Sequence, residues 1–121
     1  MVVRLKDALI ESIDETETKK LRILTATSKE GGAVFSIELP DVLSSRLSAR
    51  ETVDVILDEE PIADGDKARV YGEGVAYKVT EEGTYELVGT VGGLRIHLSL
   101  VKATPSQKKT FSQGKFYFGL F

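Results

Sequence analysis

KARVYGEGVAYKVTEEGTYELVGTVGGLRIHLSL, residues 67–100, holds three β segments and the two tight reversals between them. Lys67 to Thr80 puts Tyr71, Val75, Tyr77 and Val79 on one parity, and Val70, Gly72, Gly74, Ala76 and Lys78 on the other. Successive side chains of a strand point to opposite faces, so this segment has one large face and one small one. Small residues against large ones fit a strongly coiled strand, because glycine permits the curvature that a small closed barrel demands. Glu81-Glu82-Gly83 reads as a hairpin turn, Tyr85 to Val91 pairs back, and Gly92-Gly93 supplies a second sharp reversal. Leu94, Ile96, Leu98 and Leu100 then alternate with Arg95, His97, Ser99 and Val101, the period-two pattern of a half-buried strand.

The same grammar extends in both directions. Downstream, Lys102 to Gln113 reads as a polar loop, and Lys115 to Phe121 is apolar on both phases, which predicts burial on both sides. Upstream, Val3 to Ile13 predicts a first strand. Its apolar phase changes from Val3 and Leu5 to Ala8 and Ile10, so a bulge or bend is expected near Asp7. Asp14 to Thr18 suits a turn, Lys20 to Thr27 a second strand, Glu30-Gly31-Gly32 a tight turn and Ala33 to Leu39 a third strand. Pro40-Asp41 ends that strand, with Asp41 as N-cap of one short helix from Val42 to Leu47. From Thr52, Val53, Val55 and Leu57 share a face opposite Asp54 and Ile56, and Glu59-Glu60-Pro61 and Asp64-Gly65-Asp66 punctuate a loop. About eight strands with one short helix make residues 1–121 a single all-β domain, either barrel or sandwich.

Composition narrows the function. With no cysteine, disulfides, thiolate chemistry and all-cysteine metal sites are excluded. Asparagine is also absent and the one methionine is Met1, a depletion of thermolabile side chains that fits a protein working hot. No apolar run reaches the length of a signal core or a membrane span, so a soluble, cytoplasmic protein is expected. The net charge of −3 argues against a free-standing binder held by phosphate contacts. That charge is uneven: residues 1–60 carry a net −5, residues 61–121 a net +2, and no acid follows Glu86. The basic remainder reads first as a solvated loop, second as a patch for an acidic surface or a phosphate backbone.

Catalytic constellations are missing. His97 is the single histidine, between Ile96 and Leu98, and on the polar face of a strand it reads as a surface or interface residue rather than a catalytic base. No second histidine or cysteine is present to build a transition-metal site. The runs Asp14-Glu15-Glu17 and Asp58-Glu59-Glu60 read as solvated turns, since neighbours in a strand diverge from any shared reacting atom. Gly72-Glu73-Gly74 and Gly92-Gly93 lack the following helix that makes a phosphate cradle. No catalytic residue, metal or cofactor is expected. A stand-alone OB barrel binding single-stranded nucleic acid is the alternative, with Tyr71, Tyr77, Tyr85 and Tyr117 as stacking platforms beside Arg69, Lys78 and Arg95.

Val70-Tyr71-Gly72, Val75-Ala76-Tyr77-Lys78-Val79, an acidic turn, a further β segment and Gly92-Gly93-Leu94-Arg95-Ile96-His97-Leu98 follow one another in a distinctive order. With the ending Lys115-Phe116-Tyr117-Phe118-Gly119-Leu120-Phe121, this order resembles a family of small DNA-dependent RNA polymerase subunits, the eighth common subunit of the eukaryotic enzymes and its archaeal counterpart. The resemblance covers about half the chain. Val91 stands where eukaryotic relatives have an aromatic, and the short Glu59 to Lys67 loop replaces their long acidic insertion, which points to the compact archaeal form. The resemblance implies an eight-stranded, OB-like antiparallel barrel, monomeric when isolated, docked on the largest polymerase subunit, with no active site of its own. Direct contact with DNA or RNA is left open by it. Tyr71, Gly72, Gly92, Gly93, Arg95, Tyr117 and Phe118 are the expected interface residues, and a β-branched residue at Gly92 is expected to weaken assembly.

Overall fold

The computed structural model describes residues 2–17, 20–29 and 32–121. Along them run β1 (Val2–Glu15), β2 (Leu21–Ser28), β3 (Ala33–Pro40), α1 (Asp41–Ser44), β4 (Thr52–Asp58), β5 (Val70–Glu82), β6 (Thr84–Val91), β7 (Leu94–Leu100), α2 (Pro105–Lys109) and β8 (Lys115–Leu120). The strands close into one barrel in the order β1-β2-β3-β7-β6-β5-β8-β4, and every pairing is antiparallel. Closure decides for the barrel over the sandwich, between which strand spacing alone does not choose.

Two Greek keys build the wall. β1, β2 and β3 pair in series and β4 returns beside β1; β5, β6 and β7 pair in series and β8 returns beside β5. The halves meet at the seams β3–β7 and β4–β8. The corresponding crossovers, β3 to β4 and β7 to β8, each carry a short helix, and antiparallel pairing sets these helices at opposite ends of the barrel.

Alternation fills the interior. Phe35, Ile37 and Leu39 of β3, Val53, Val55 and Leu57 of β4, Ile96, Leu98 and Leu100 of β7, and Phe116, Phe118 and Leu120 of β8 are all buried. Each such side chain contributes about 1.5–3 kcal/mol by leaving water. On β2 the inward phase is Leu24 and Ala26, so Ile23 lies outside at 37% exposure. Beyond the barrel's end, the turn after α2 delivers Phe111 edge-on to Phe116, with centroids 5.4 Å apart, and against Tyr85 at 6.5 Å.

β1 keeps its apolar side chains inside by two phase changes. Its pairing with β4 jumps from Leu5–Val55 to Ala8–Val53, so Lys6 and Asp7 together oppose Asp54. This is the bulge expected near Asp7. Asp7 takes φ 52° and its N–H donates to Asp54 Oδ1 at 2.9 Å. A second jump, from Ile10–Ala26 to Ser12–Thr25, leaves Glu11 extra and returns Ile13 opposite buried Leu24. Aspartate tolerates the left-handed region and β-branched residues do not. Asp7→Val should therefore lower stability by about 1–2 kcal/mol, while Asp7→Gly should stay within about 0.5 kcal/mol of the parent in urea unfolding.

Several boundaries move. β1 runs through Asp14 and Glu15, which the sequence assigns to a turn. β5 likewise absorbs Glu81 and Glu82, leaving Gly83 at φ 82° to reverse the chain. Within the expected Asp14–Thr18 turn, Thr18 lies outside the described residues, as do Glu30 and Gly31 of the expected Glu30-Gly31-Gly32 turn. Asp41 is the first residue of α1 rather than its cap: Pro40 holds the N-cap position and the Asp41 N–H donates to Lys20 O. The polar stretch that reads as loop contains α2, closed by a capping box. Thr104 Oγ1 accepts from the Gln107 N–H at 3.1 Å and Gln107 Oε1 accepts from the Thr104 N–H at 2.9 Å.

Candidate partner interface

The connection from β4 to β5 builds one side of the candidate surface. β4 and β5 are parallel and separated by β8 in the barrel, so residues 59–69 must travel the barrel's length along the outside of β8. Ile62 and the Phe121 ring cover Gly119, where a Cβ would meet Ile62 Cδ1 at 3.2 Å and Phe121 Cε1 at 2.7 Å. The Gln113 amide donates to Glu59 O at 2.9 Å and the Arg69 N–H donates to Leu120 O at 2.7 Å. This strap gives the predicted two-sided burial of β8 its physical form: core within, strap without.

Tyr71 pins the strap. Its hydroxyl accepts from the Ile62 N–H at 3.2 Å, and its ring lies so close to Gly65 that a Cβ there would sit 2.6 Å from Cε1. The other side of the ring stacks on Tyr117, centroids 6.5 Å apart. Lys115 Nζ stands 5.6 Å over the Tyr117 ring and 3.0 Å from Glu73 Oε1. Bonding to Glu73, and secondarily to Tyr117, raises the Lys115 pKa above its ordinary value.

Next to this clamp the wall turns apolar. Val75 is 53% exposed, Tyr77 60% and Val79 45%. The β5–β6 pairing jumps from Ala76–Gly89 to Lys78–Val88 and leaves Tyr77 extra. In sequence Tyr71, Val75, Tyr77 and Val79 hold one unbroken parity, and this bulge breaks it. Directly opposed residues share a face, so Val79, opposite buried Leu87, lies on the inner side of a hairpin that overhangs the barrel, while Lys78 goes outside with Val88.

Compared with protein family models and with curated protein sequences, the chain matches none.

The seven expected interface residues separate into four groups. Tyr71 and Tyr117 do come together on the outer face, but hold each other and the strap. Phe118 is fully buried, its ring stacked 5.5 Å from Phe35; it belongs to the core and presents nothing to a partner. Gly72 points inward as well, since a Cβ there would meet Val91 Cγ1 at 2.7 Å. Gly92 and Gly93 form a two-residue hairpin between the paired Val91 and Leu94, with φ of 58° and 84°. Positive φ at both central residues is the type I′ requirement, and it accounts for the glycines without a partner. Gly92→Val should cost about 1–2 kcal/mol through that backbone, whereas Gly92→Asn, suited to type I′, should leave the melting temperature nearly unchanged. Arg95 is exposed on β7 opposite Thr90, and its N–H donates to Glu38 Oε1 at 3.0 Å. The exposed residues absent from the expected set, Val75 and Tyr77, carried a signal in their shared parity with Tyr71.

The surface chemistry is modest. His97 Nε2 lies 3.5 Å from Glu86 Oε1 on the outer wall. The basic C-terminal segment is partly neutralised by β5, Lys108 pairing with Glu81 at 2.9 Å and Lys115 with Glu73. Asp58 Oδ1 accepts from the Glu60 N–H at 3.0 Å, a local turn bond. Among the described residues no group of three His, Cys, Asp or Glu could hold a metal ion, and no helix is long and apolar enough to cross a membrane.

Proposed function

We propose that the chain is a non-catalytic subunit of an archaeal-type DNA-dependent RNA polymerase, docked on the largest, catalytic subunit through the exposed side chains of β5. One observation supports this reading most. Among the described residues, four of the eight exposed large hydrophobics, Tyr71, Val75, Tyr77 and Val79, lie on β5, the strand that opens the segment carrying the resemblance. Tyr71 is held by the strap and Val79 faces the inner side of the overhang, so Val75 and Tyr77, both more than half exposed, are the side chains left to anchor a partner. Exposed aromatics in such a surface are favoured anchors. The role is assembly and stabilisation of the transcribing enzyme, in the cytoplasm of a heat-adapted archaeal host, by a subunit that is monomeric when free. A net charge of −3 suits a barrel that leaves the grip on DNA to its partner.

The test is an affinity pull-down of the tagged chain from native extract, with mass spectrometry of what it retains. Recovery of the large polymerase subunits in equal amounts supports the reading. Recovery of single-stranded nucleic acid in a salt-sensitive manner, without those subunits, transfers the chain to the OB-fold alternative.

A further inference from the structure

Besides its exposed side chains, β5 offers an unpaired edge. β8 stops pairing at Lys115–Val75, and only Gly114 O reaches further, accepting from the Ala76 N–H at 2.6 Å. β6 pairs with β5 up to Glu82–Thr84. Among the described residues, the strand from Tyr77 to Glu82 is therefore bonded on its β6 side and open on the other. An open edge presents main-chain donors and acceptors in the spacing that only another extended backbone matches.

The equivalent overhang in the first Greek key is guarded. There, β1 beyond Leu9 has left β4, the Ile10 N–H donates to Glu51 O at 2.9 Å, the Arg50 N–H donates to Ile10 O at 2.7 Å, and Glu11, Asp14 and Glu15 line the exposed stretch with like charge. On β5 the corresponding stretch carries exposed Tyr77 and Val79 together with charges of opposite sign, Lys78 and Glu82. Glu81 is occupied by Lys108, but neither Lys78 nor Glu82 enters an ion pair among the described residues.

We infer that the open edge of β5 from Tyr77 to Glu82 receives an extended segment of the catalytic subunit as an added strand, with an acid level with Lys78, apolar side chains against Tyr77 and Val79, and a base level with Glu82. This rests on the polymerase reading. Register excludes a second copy of β5 as the better fit. The antiparallel register that pairs Lys78 with Glu82 of another copy sets Val79 opposite Glu81, an apolar side chain against a carboxylate. The register that pairs the two Val79 side chains loses both charge pairs. A one-residue slip changes every facing pair, so no self-pairing satisfies both sets, whereas a foreign strand can.

The experiment uses the full chain and the purified catalytic subunit, with hydrogen exchange of the chain free and bound, and affinities of Lys78→Glu, Glu82→Lys and Val42→Glu. Within Tyr77–Glu82, the amides facing away from β6 should slow at least about tenfold on binding. Lys78→Glu and Glu82→Lys should each weaken the complex about tenfold, and Val42→Glu, exposed on α1 at the opposite end of the barrel, should leave it unchanged. A tight complex in which those amides still exchange freely overturns the added strand and leaves the polymerase reading standing. Absence of any complex overturns both. A free chain of twice the monomer mass by light scattering, made monomeric by Lys78→Glu, gives the edge to a second copy and overturns the inference.

Discussion

Phe118→Ala should destabilise the protein by about 3–5 kcal/mol, the range for truncating a buried phenylalanine. The ring is fully buried and stacks on Phe35 across the barrel, centroids 5.5 Å apart and planes 19° from parallel. Its strand is clasped by β4 and β5 and covered outside by the strap, so the wall has little freedom to collapse into the void. The cost then includes a cavity as well as lost transfer energy. Small domains hold about 5–15 kcal/mol in total, so this one change removes a large part of the margin. Urea unfolding of parent and variant reads it directly, and a loss under about 1.5 kcal/mol would contradict a rigid, fully packed site. Assembly lost in this variant would follow from unfolding and carry no information about an interface.

Val75→Glu combined with Tyr77→Glu should do the opposite. Both side chains are more than half exposed, so the melting temperature should move by no more than a few degrees. If β5 is the docking face, binding to the proposed catalytic subunit should fall at least about a hundredfold, because each change puts a carboxylate where the proposal desolvates an apolar anchor. The reading requires both results together. An unaffected complex in a folded double variant would move the docking face away from β5. The measurement is a binding titration beside a thermal melt on the same preparation.

How much of this is legible in the residues depends on whether the signal is local. Leu94 to Leu100 alternates without interruption and forms a strand as read. The Asp7 bulge shows because the apolar phase slips visibly between Leu5 and Ala8. The Tyr77 bulge is hidden, since Tyr71, Val75, Tyr77 and Val79 keep perfect parity while the extra residue shifts the face beneath them. Thr104-Pro105-Ser106-Gln107 spells a capped helix, yet the surrounding Lys and Ser residues make it look like loop. Phe118 fails as a surface candidate for another reason. A strand apolar on both phases declares that both sides are covered, but not that one cover is the core and the other a strap from far upstream. Gly72 and Gly92 look alike in sequence; only the fold separates a glycine beneath Val91 from one at positive φ.

The paired Greek keys have a consequence for how the chain holds itself together. Each half makes its own four-stranded unit, and strand pairing joins the two along the β3–β7 and β4–β8 seams. In that sense the barrel is a two-protomer assembly carried on one thread, with a net −3 on residues 1–58 and a net +2 on residues 70–121. The strap at 59–69 is the tether that turns their meeting from a bimolecular event into an intramolecular one, at an effective concentration of roughly millimolar. Cutting the backbone there would remove the tether and leave the strand pairing whole, so affinity between the two halves would then have to keep the wall closed.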